Sequence, residues 1–164
     1  MLAKGKLPCD VLFVGEAPGE SEDVTGTPFI GPAGRLLDEM IANAGGYRDL
    51  RLAFTTVVAC IPRGDDGDKM MEPDDSHAEA CQPRLVEIVK IADPRLIVQV
   101  GTFAETWTQP DYKHSPKFHK PIPMVKIVHP AAILRARVDQ KDYQKQRNVI
   151  ALRDALELLS TEGK

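Results

Sequence analysis

The chain has 164 residues, of which 43% are hydrophobic and 27% are charged, a composition typical of a globular protein. The net charge of −3 argues against a highly basic protein that coats nucleic acid nonspecifically. No apolar run reaches the length of a membrane span, and the first ten residues lack the apolar segment of a signal peptide. We therefore expect one domain over residues 1–164, in a cytoplasmic monomer that binds no membrane.

Apolar runs alternate with amphipathic stretches along the chain. The apolar runs predict buried strands over residues 10–15, 52–60, 95–101 and 123–129. The amphipathic stretches that follow them predict helices over residues 33–45, 73–92, 102–107 and 142–159. Pro83 either kinks the second helix or marks its true start. This alternation predicts an α/β fold, a three-layer α/β/α sandwich with a central four-stranded, mainly parallel sheet.

Loops that follow the predicted strands carry the unusual sequence features. In a sheet of this type, ligands bind beyond the carboxyl ends of the strands. Three segments then share one rim: GEAPGESED (15–23), CIPRGDDGDKMMEP (60–73) and HPAAILR (129–135). The first holds four acidic residues within eight positions. A second irregular loop, rich in proline and histidine, is predicted over residues 109–123.

Several rim residues have both a structural and a functional interpretation. Gly15 and Gly19 allow a sharp turn that approaches a ligand closely, but an ordinary turn needs them equally. Phe29 is either a core residue or a stacking platform. His129 either caps a helix or donates a hydrogen bond to a developing anion. Residues 135–147, with five basic and two acidic side chains, are either a solvated helix start or a local basic face.

Together these segments resemble the uracil-DNA glycosylase superfamily, most closely its family 4. VGEAPGESED (14–23) is similar to the first motif of that family, and GTPFIGPAGRLLDEMI (26–41) to the segment with its base-stacking phenylalanine. VHPAAILR (128–135) is similar to the second motif. TTVVACIPR (55–63) and EACQPRL (79–85) are similar to middle segments. The resemblance covers residues 10–158 and implies an enzyme that flips uracil out of DNA and hydrolyses its N-glycosidic bond.

The resemblance also implies roles for individual residues. Glu16 would position water or support the cationic sugar, with Glu22 as the alternative carboxylate, and His129 would stabilise negative charge on the uracil. The base would contact the following residues: Gly15, Ala17, Phe29 and Thr56. Arg135 and Lys141 would neutralise phosphates of uracil-containing DNA, the expected partner.

The chain departs from the family pattern at two places. Thr56 stands where the family has an asparagine that reads the uracil edge. A catalytically weak or inactive protein that binds DNA, a free base or a replication partner is therefore the alternative function.

The second departure concerns a [4Fe–4S] cluster that the family holds on four cysteines. Only Cys60 and Cys81 match these ligands, and Cys9 has no partner three residues away. We therefore predict no cofactor, with Cys60 and Cys81 as the metal ligands if a cluster is retained. A zinc site of Cys60, His77 and Cys81 is a further alternative.

Overall fold

The computed structural model describes residues 3–45, 49–64, 70–108 and 122–161. Its strands are β1 (Lys4–Gly5), β2 (Val11–Gly15), β3 (Leu52–Thr56), β4 (Leu96–Val100) and β5 (Met124–Ile127). Its helices are α1 (Glu20–Thr25), α2 (Pro32–Ala44), α3 (Asp75–Ala92), α4 (Thr102–Trp107), α5 (Pro130–Arg135) and α6 (Val138–Thr161). None of the described helices is both long and apolar enough to cross a bilayer. The predicted irregular loop at 109–123 lies almost wholly outside the described residues.

The sheet has five strands in the order β1-β3-β2-β4-β5. Strands β3, β2, β4 and β5 run parallel, and β1 pairs antiparallel with β3, with Lys4 opposite Phe54. The prediction of four strands was therefore wrong by one. The reason is physical: the two residues of β1 are too few to give the alternating apolar pattern that identifies a strand in sequence.

Helices cover both faces of this sheet, as the α/β/α prediction required. Alternate residues of β2 point to opposite faces, so Phe13 lies in one apolar cluster and Leu12 in the other. The first cluster receives side chains from α2, α5 and α6. The second receives side chains from α3 and α4. The predicted three-layer architecture is confirmed.

Two helices differ from their predicted bounds. Helix α3 begins at a capping box in which the Asp74 side chain accepts from the His77 amide, and it continues through Pro83 to Ala92. Pro83 is therefore not its start. Helix α6 begins at Val138, four residues before the predicted bound, so the basic segment forms its first turns. Helix α1 was not predicted, because its buried residue is the charged Glu22.

Leucines of α6 allow a matched test of this packing. Leu156 is 0% exposed in the first cluster, whereas Leu158, two residues later, is 69% exposed. We expect Leu156→Ala to lower the free energy of unfolding by about 2–5 kcal/mol, because it leaves a cavity in the core. Leu158→Ala should change it by about 0.5 kcal/mol or less. Urea denaturation measures both, and equal losses would contradict the placement of this helix.

Candidate functional site

A cavity of about 1070 Å³ opens at the carboxyl ends of the parallel strands. Eight residues singled out in the sequence line it: Glu16, Ala17, Gly19, Glu22, Phe29, Thr56, His129 and Arg135. The three segments predicted to share one rim therefore contribute to a common cavity. Gly15 lies directly behind this wall, at the end of β2.

The backbones of β2 and β3 stay paired beyond the ends of both strands. Gly15 is the register partner of Thr56. The amide of Val57 then donates to the Gly15 carbonyl at 2.8 Å, and the amide of Val58 donates to the Glu16 carbonyl at 2.9 Å. This continued pairing holds Glu16 and Thr56 as neighbours in the cavity wall.

Phe29 is fixed in a backbone conformation that few side chains adopt. Its φ is +56°, in the left-handed region, which costs free energy for a residue other than glycine. Its ring is 7% exposed and tilts against Phe54, with 5.9 Å between the ring centroids. A β-carbon on Gly15 would lie 2.5 Å from the ring, so this position needs glycine for the close approach. Phe29 is thus both a core residue and part of the cavity wall.

The buried carboxylate of Glu22 binds the backbone of the loop that carries Phe29. Its Oε1 accepts hydrogen bonds from the backbone amides of Ile30 at 3.1 Å and Gly31 at 2.8 Å. A carboxylate that accepts two backbone amides is well stabilised where it is. Glu22 therefore acts as a brace for the loop, a role that the sequence did not indicate. Glu16 is the carboxylate with a more open environment.

His129 caps a helix as one interpretation required, and it lines the cavity, where donation to a developing anion stays a prediction. It is the N-cap of α5, where its Nδ1 accepts the Ala131 amide at 3.1 Å, and it also lines the cavity. A ring that accepts at Nδ1 carries the proton of its neutral form on Nε2. Burial, with a smaller contribution from Arg135, lowers the pKa of His129 to about 4. Near neutral pH the side chain is thus an uncharged hydrogen-bond donor.

Gly101 determines how closely His129 lies against β4. Its φ is +95°, and a β-carbon here would lie 3.1 Å from Cβ of His129. The Gly101 amide donates to the Ile127 carbonyl at 2.9 Å. Strand β4 is therefore followed by a residue without a side chain, which leaves room for the imidazole at the cavity edge.

Glu16 is a half-buried residue of the cavity lining. Burial raises its pKa above the usual 4.5, and the negative charge of Glu72 raises it further. Arg135 acts in the opposite direction. The carboxyl group is consequently easier to protonate than a solvated glutamate.

The Thr56 hydroxyl is already used within the protein. Its Oγ1 donates to the Val58 carbonyl at 2.7 Å. Its own carbonyl accepts from the Arg84 guanidinium, which also donates to the Val57 carbonyl at 2.8 Å. The hydroxyl proton is therefore not available, and Thr56 can offer a bound molecule only the lone pairs of its oxygen.

The two predicted phosphate contacts differ in position. Arg135 is exposed and lies at the cavity edge, whereas Lys141 lies on α6 and is not part of the described lining. Within the basic segment, Arg137 pairs with Asp139 at 3.3 Å and Lys145 pairs with Glu39 at 2.5 Å. Part of this segment is therefore neutralised locally, and Arg135 is the basic residue of this segment that the described cavity lining includes.

The cysteines do not form the donor set of an iron–sulfur cluster. Cys60 is exposed and Cys81 is half-buried, whereas Cys9 is buried at the other end of β2, where its amide donates to Ala92. Among the described residues, no three His, Cys, Asp or Glu side chains come together as a metal site. A cluster needs four ligands, so these residues do not fit one. The absence of a cofactor stays a prediction.

Other groups occupy the surroundings of the two thiols. The Ala59 amide donates to Cys81 Sγ at 3.4 Å. Burial lowers the pKa of Arg84, while Cys81 and Cys60 raise it, so the guanidinium lies near both sulfur atoms. His77 Nδ1 lies 2.6 Å from the Asp74 carboxylate in the α3 capping box. The described residues thus do not assemble the zinc alternative either.

Comparisons with known proteins identify the family. A sequence profile of the Uracil DNA glycosylase superfamily matches residues 3–153. The Type-4 uracil-DNA glycosylase of Archaeoglobus fulgidus is 30% identical over 154 residues, which span 85% of this chain and 74% of that protein. The Type-4 uracil-DNA glycosylase of Sulfurisphaera tokodaii is 39% identical over 92 residues, 56% of this chain and 40% of that protein.

A third relative has the same name. The Type-4 uracil-DNA glycosylase of Thermotoga maritima is 36% identical over 104 residues, 63% of this chain and 51% of that protein. Several of these matches thus span only about half of the relative's length. The profile nevertheless covers most of the chain, and the resemblance seen in the motifs is confirmed. The chain belongs to the uracil-DNA glycosylase superfamily, and its relatives place it with the type-4 branch.

Proposed function

We propose that this protein hydrolyses the N-glycosidic bond of uracil in DNA, after the uracil nucleotide has been flipped into the cavity. The observation that carries the proposal is the convergence of Phe29, Glu16 and His129 on one cavity at the carboxyl edge of the sheet. These three residues supply an aromatic surface, a carboxylate and a neutral hydrogen-bond donor. The type-4 relatives support the same reaction.

Binding requires a wall that replaces the stacking lost when a base leaves the duplex. Phe29 offers a π-face, and stacking on an aromatic side chain is worth about 1–3 kcal/mol per base. Its loop is braced by Glu22, so no ordering of the platform is needed on binding. The backbone around Ala17, in the adjacent wall, would contact the edge of the base, with the Gly15 backbone directly behind it.

The proposed reaction depends on the protonation states of His129 and Glu16. When the C1′–N1 bond breaks, its electron pair stays on the uracil, where His129 Nε2–H would donate to the O2 that carries the charge. The sugar becomes cationic, and an ionised Glu16 would stabilise it and orient the water that adds to C1′. The proton of that water leaves to Glu16 or to solvent. The two steps as written use the side chains of His129 and Glu16 and one water molecule.

DNA would approach from the α5 side of the cavity. Arg135 is exposed there, and an arginine can neutralise a phosphate and release its counterions. Lys141, farther along on α6, would extend the same contact to a neighbouring phosphate. These contacts fix the position of the strand without reading its sequence, so base selection rests on the cavity.

An oligonucleotide that contains one uracil tests the proposal. We expect the wild type to release uracil, leaving an abasic site that alkali cleaves. His129→Ala should lower the single-turnover rate by about 100–1000-fold, because it removes the donor to the developing anion. Phe29→Leu, which keeps apolar volume, should lower it by about 10-fold through lost stacking. His77→Ala, at a helix cap outside the cavity, is the matched control and should retain the rate.

The result also separates this proposal from the alternative. A wild-type protein that binds DNA but leaves uracil in place would favour the catalytically inactive binding protein. Cleavage that survives His129→Ala unchanged would contradict the assignment of His129.

The rate of excision should fall on the acid side as Glu16 takes up a proton. Burial and Glu72 raise the Glu16 pKa above 4.5, whereas His129 stays neutral down to about pH 4. Protonation of Glu16 therefore determines the acid limb of the pH–rate profile. Glu72→Gln removes a negative charge, lowers the Glu16 pKa and should shift the limb to lower pH. Arg135→Gln should shift it to higher pH. Single-turnover rates across pH 4–8 measure both shifts.

The control for this titration is Glu79→Gln, an exposed glutamate of α3 outside the cavity lining. It should leave the pH profile in place. Identical profiles for the wild type and Glu72→Gln would contradict the role given to Glu16.

One observation favours the alternative function. The proton of the Thr56 hydroxyl is bound by the Val58 carbonyl, so Thr56 has no donor for the uracil O4. A bidentate amide contact typically contributes about 1–3 kcal/mol of discrimination between bases. We expect Thr56→Asn to raise the preference for uracil over cytosine by about 10-fold, measured as the ratio of single-turnover excision rates. An unchanged ratio would mean that other groups read the base.

A further inference from the structure

Helix α6 presents one buried amide among its core leucines. Asn148 lies four residues before Leu152 and eight before Leu156, on the same face of the helix, and is 3% exposed. An apolar residue is expected at this position. Burial of an amide is costly unless its hydrogen bonds are made, so its partners indicate what it does.

Both polar atoms of this amide bind one residue at the exit of β5, and Asn148 Nδ2 also donates to Met40 Sδ at 3.6 Å. Asn148 Oδ1 accepts the Val128 amide at 2.9 Å, and Asn148 Nδ2 donates to the Val128 carbonyl at 2.8 Å. Strand β5 lies at one edge of the sheet formed by the described residues, and no strand among them pairs with its outward groups. The side chain of Asn148 thus pairs with Val128 as a neighbouring strand would.

The carbonyl of Val128 belongs to the peptide bond that joins it to His129. A fixed peptide plane determines where the next α-carbon lies and how its side chain leaves the backbone. The Val128 amide belongs to the preceding peptide bond, so the two hydrogen bonds hold the peptide planes on both sides of the Val128 α-carbon. The Nδ1 bond to Ala131 then fixes the ring of His129 from the other side.

We propose that Asn148 is a positioning residue for His129, holding the strand exit so that the imidazole stays at the cavity edge. The inference rests on the proposed function for its catalytic consequence, but its structural part stands alone. It names a residue of α6, remote from the sequence motifs, as a contributor to the site. A displacement of about 1 Å can cost about 100-fold in rate.

The test compares two buried amides. Gln99 is 4% exposed on β4, where its Nε2 donates to Thr108 Oγ1 at 2.7 Å, and it does not line the cavity. Asn148→Ala should lower the single-turnover excision rate by about 10–100-fold. Gln99→Ala should lower thermal stability to a similar extent and keep the rate within about 2-fold. Both are assayed at a temperature where circular dichroism shows them folded.

A double-mutant cycle separates positioning from general damage. In a His129→Ala background, Asn148→Ala should change the residual rate by less than about 2-fold, because the group that it positions is gone. Equal losses with and without His129 would overturn the proposal. If Asn148→Ala does not fold, Asn148→Asp replaces it. That variant keeps an acceptor for the Val128 amide but sets a carboxylate against the carbonyl, so it should show the same loss.

A titration of the His129 ring by NMR gives a readout that needs no activity. His129→Gln assigns the resonance in the full chain. The wild-type ring should titrate near pH 4, and in Asn148→Ala the midpoint should move towards 6.5, since a displaced ring gains access to water. Gln99→Ala should leave it in place. A ring unmoved by Asn148→Ala would overturn the proposal even if the protein excises no uracil, whereas a moved ring without excision would count against the proposed function alone.

Discussion

The parallel register of β2 with β3 and β4 is the constraint on which the site depends. Because these strands end at the same edge, the residues that follow each of them meet without long-range loops. Gly15 faces Thr56 across one strand pair, and Gly101, directly after β4, packs against His129. A shift of one residue in this register would turn the side chains of the shifted strand to the other face of the sheet, so Gly15 and Thr56 would no longer face each other.

The strand ends determine where the cavity walls lie, and buried polar side chains fix the backbone conformation of those walls. The carboxylate of Glu22 holds the loop on which Phe29 adopts its left-handed backbone, and the amide of Asn148 holds the residue before His129. Arg84 holds the carbonyls of Thr56 and Val57 in the same way. Each of these side chains satisfies backbone groups that no strand or helix reaches. The site is therefore built from irregular backbone held by side chains of regular elements.

The sequence predicted the layers and the cavity edge because both follow from long apolar patterns. Runs such as β2 and β4 are buried on both faces, and their pattern is unambiguous. It missed β1, which is too short to have a pattern, and α1, where Glu22 is buried and Val24 is 88% exposed. It also missed Asn148, whose partner lies 20 residues away. A buried polar side chain is indistinguishable from a surface one until its partner is known.

Electrostatics gives the final link between this architecture and the proposed reaction. Burial alone favours the neutral forms of His129 and Glu16. This agrees with a neutral hydrogen-bond donor at His129 and opposes the ionised form of Glu16. Arg135 acts on both: it lowers the pKa of the histidine and the pKa of the glutamate. One exposed cation thereby favours an uncharged donor on one wall and a carboxylate on the other. A phosphate bound to Arg135 would weaken this effect, so the proposed DNA contact would couple DNA binding to the protonation of Glu16 and His129 through a single side chain.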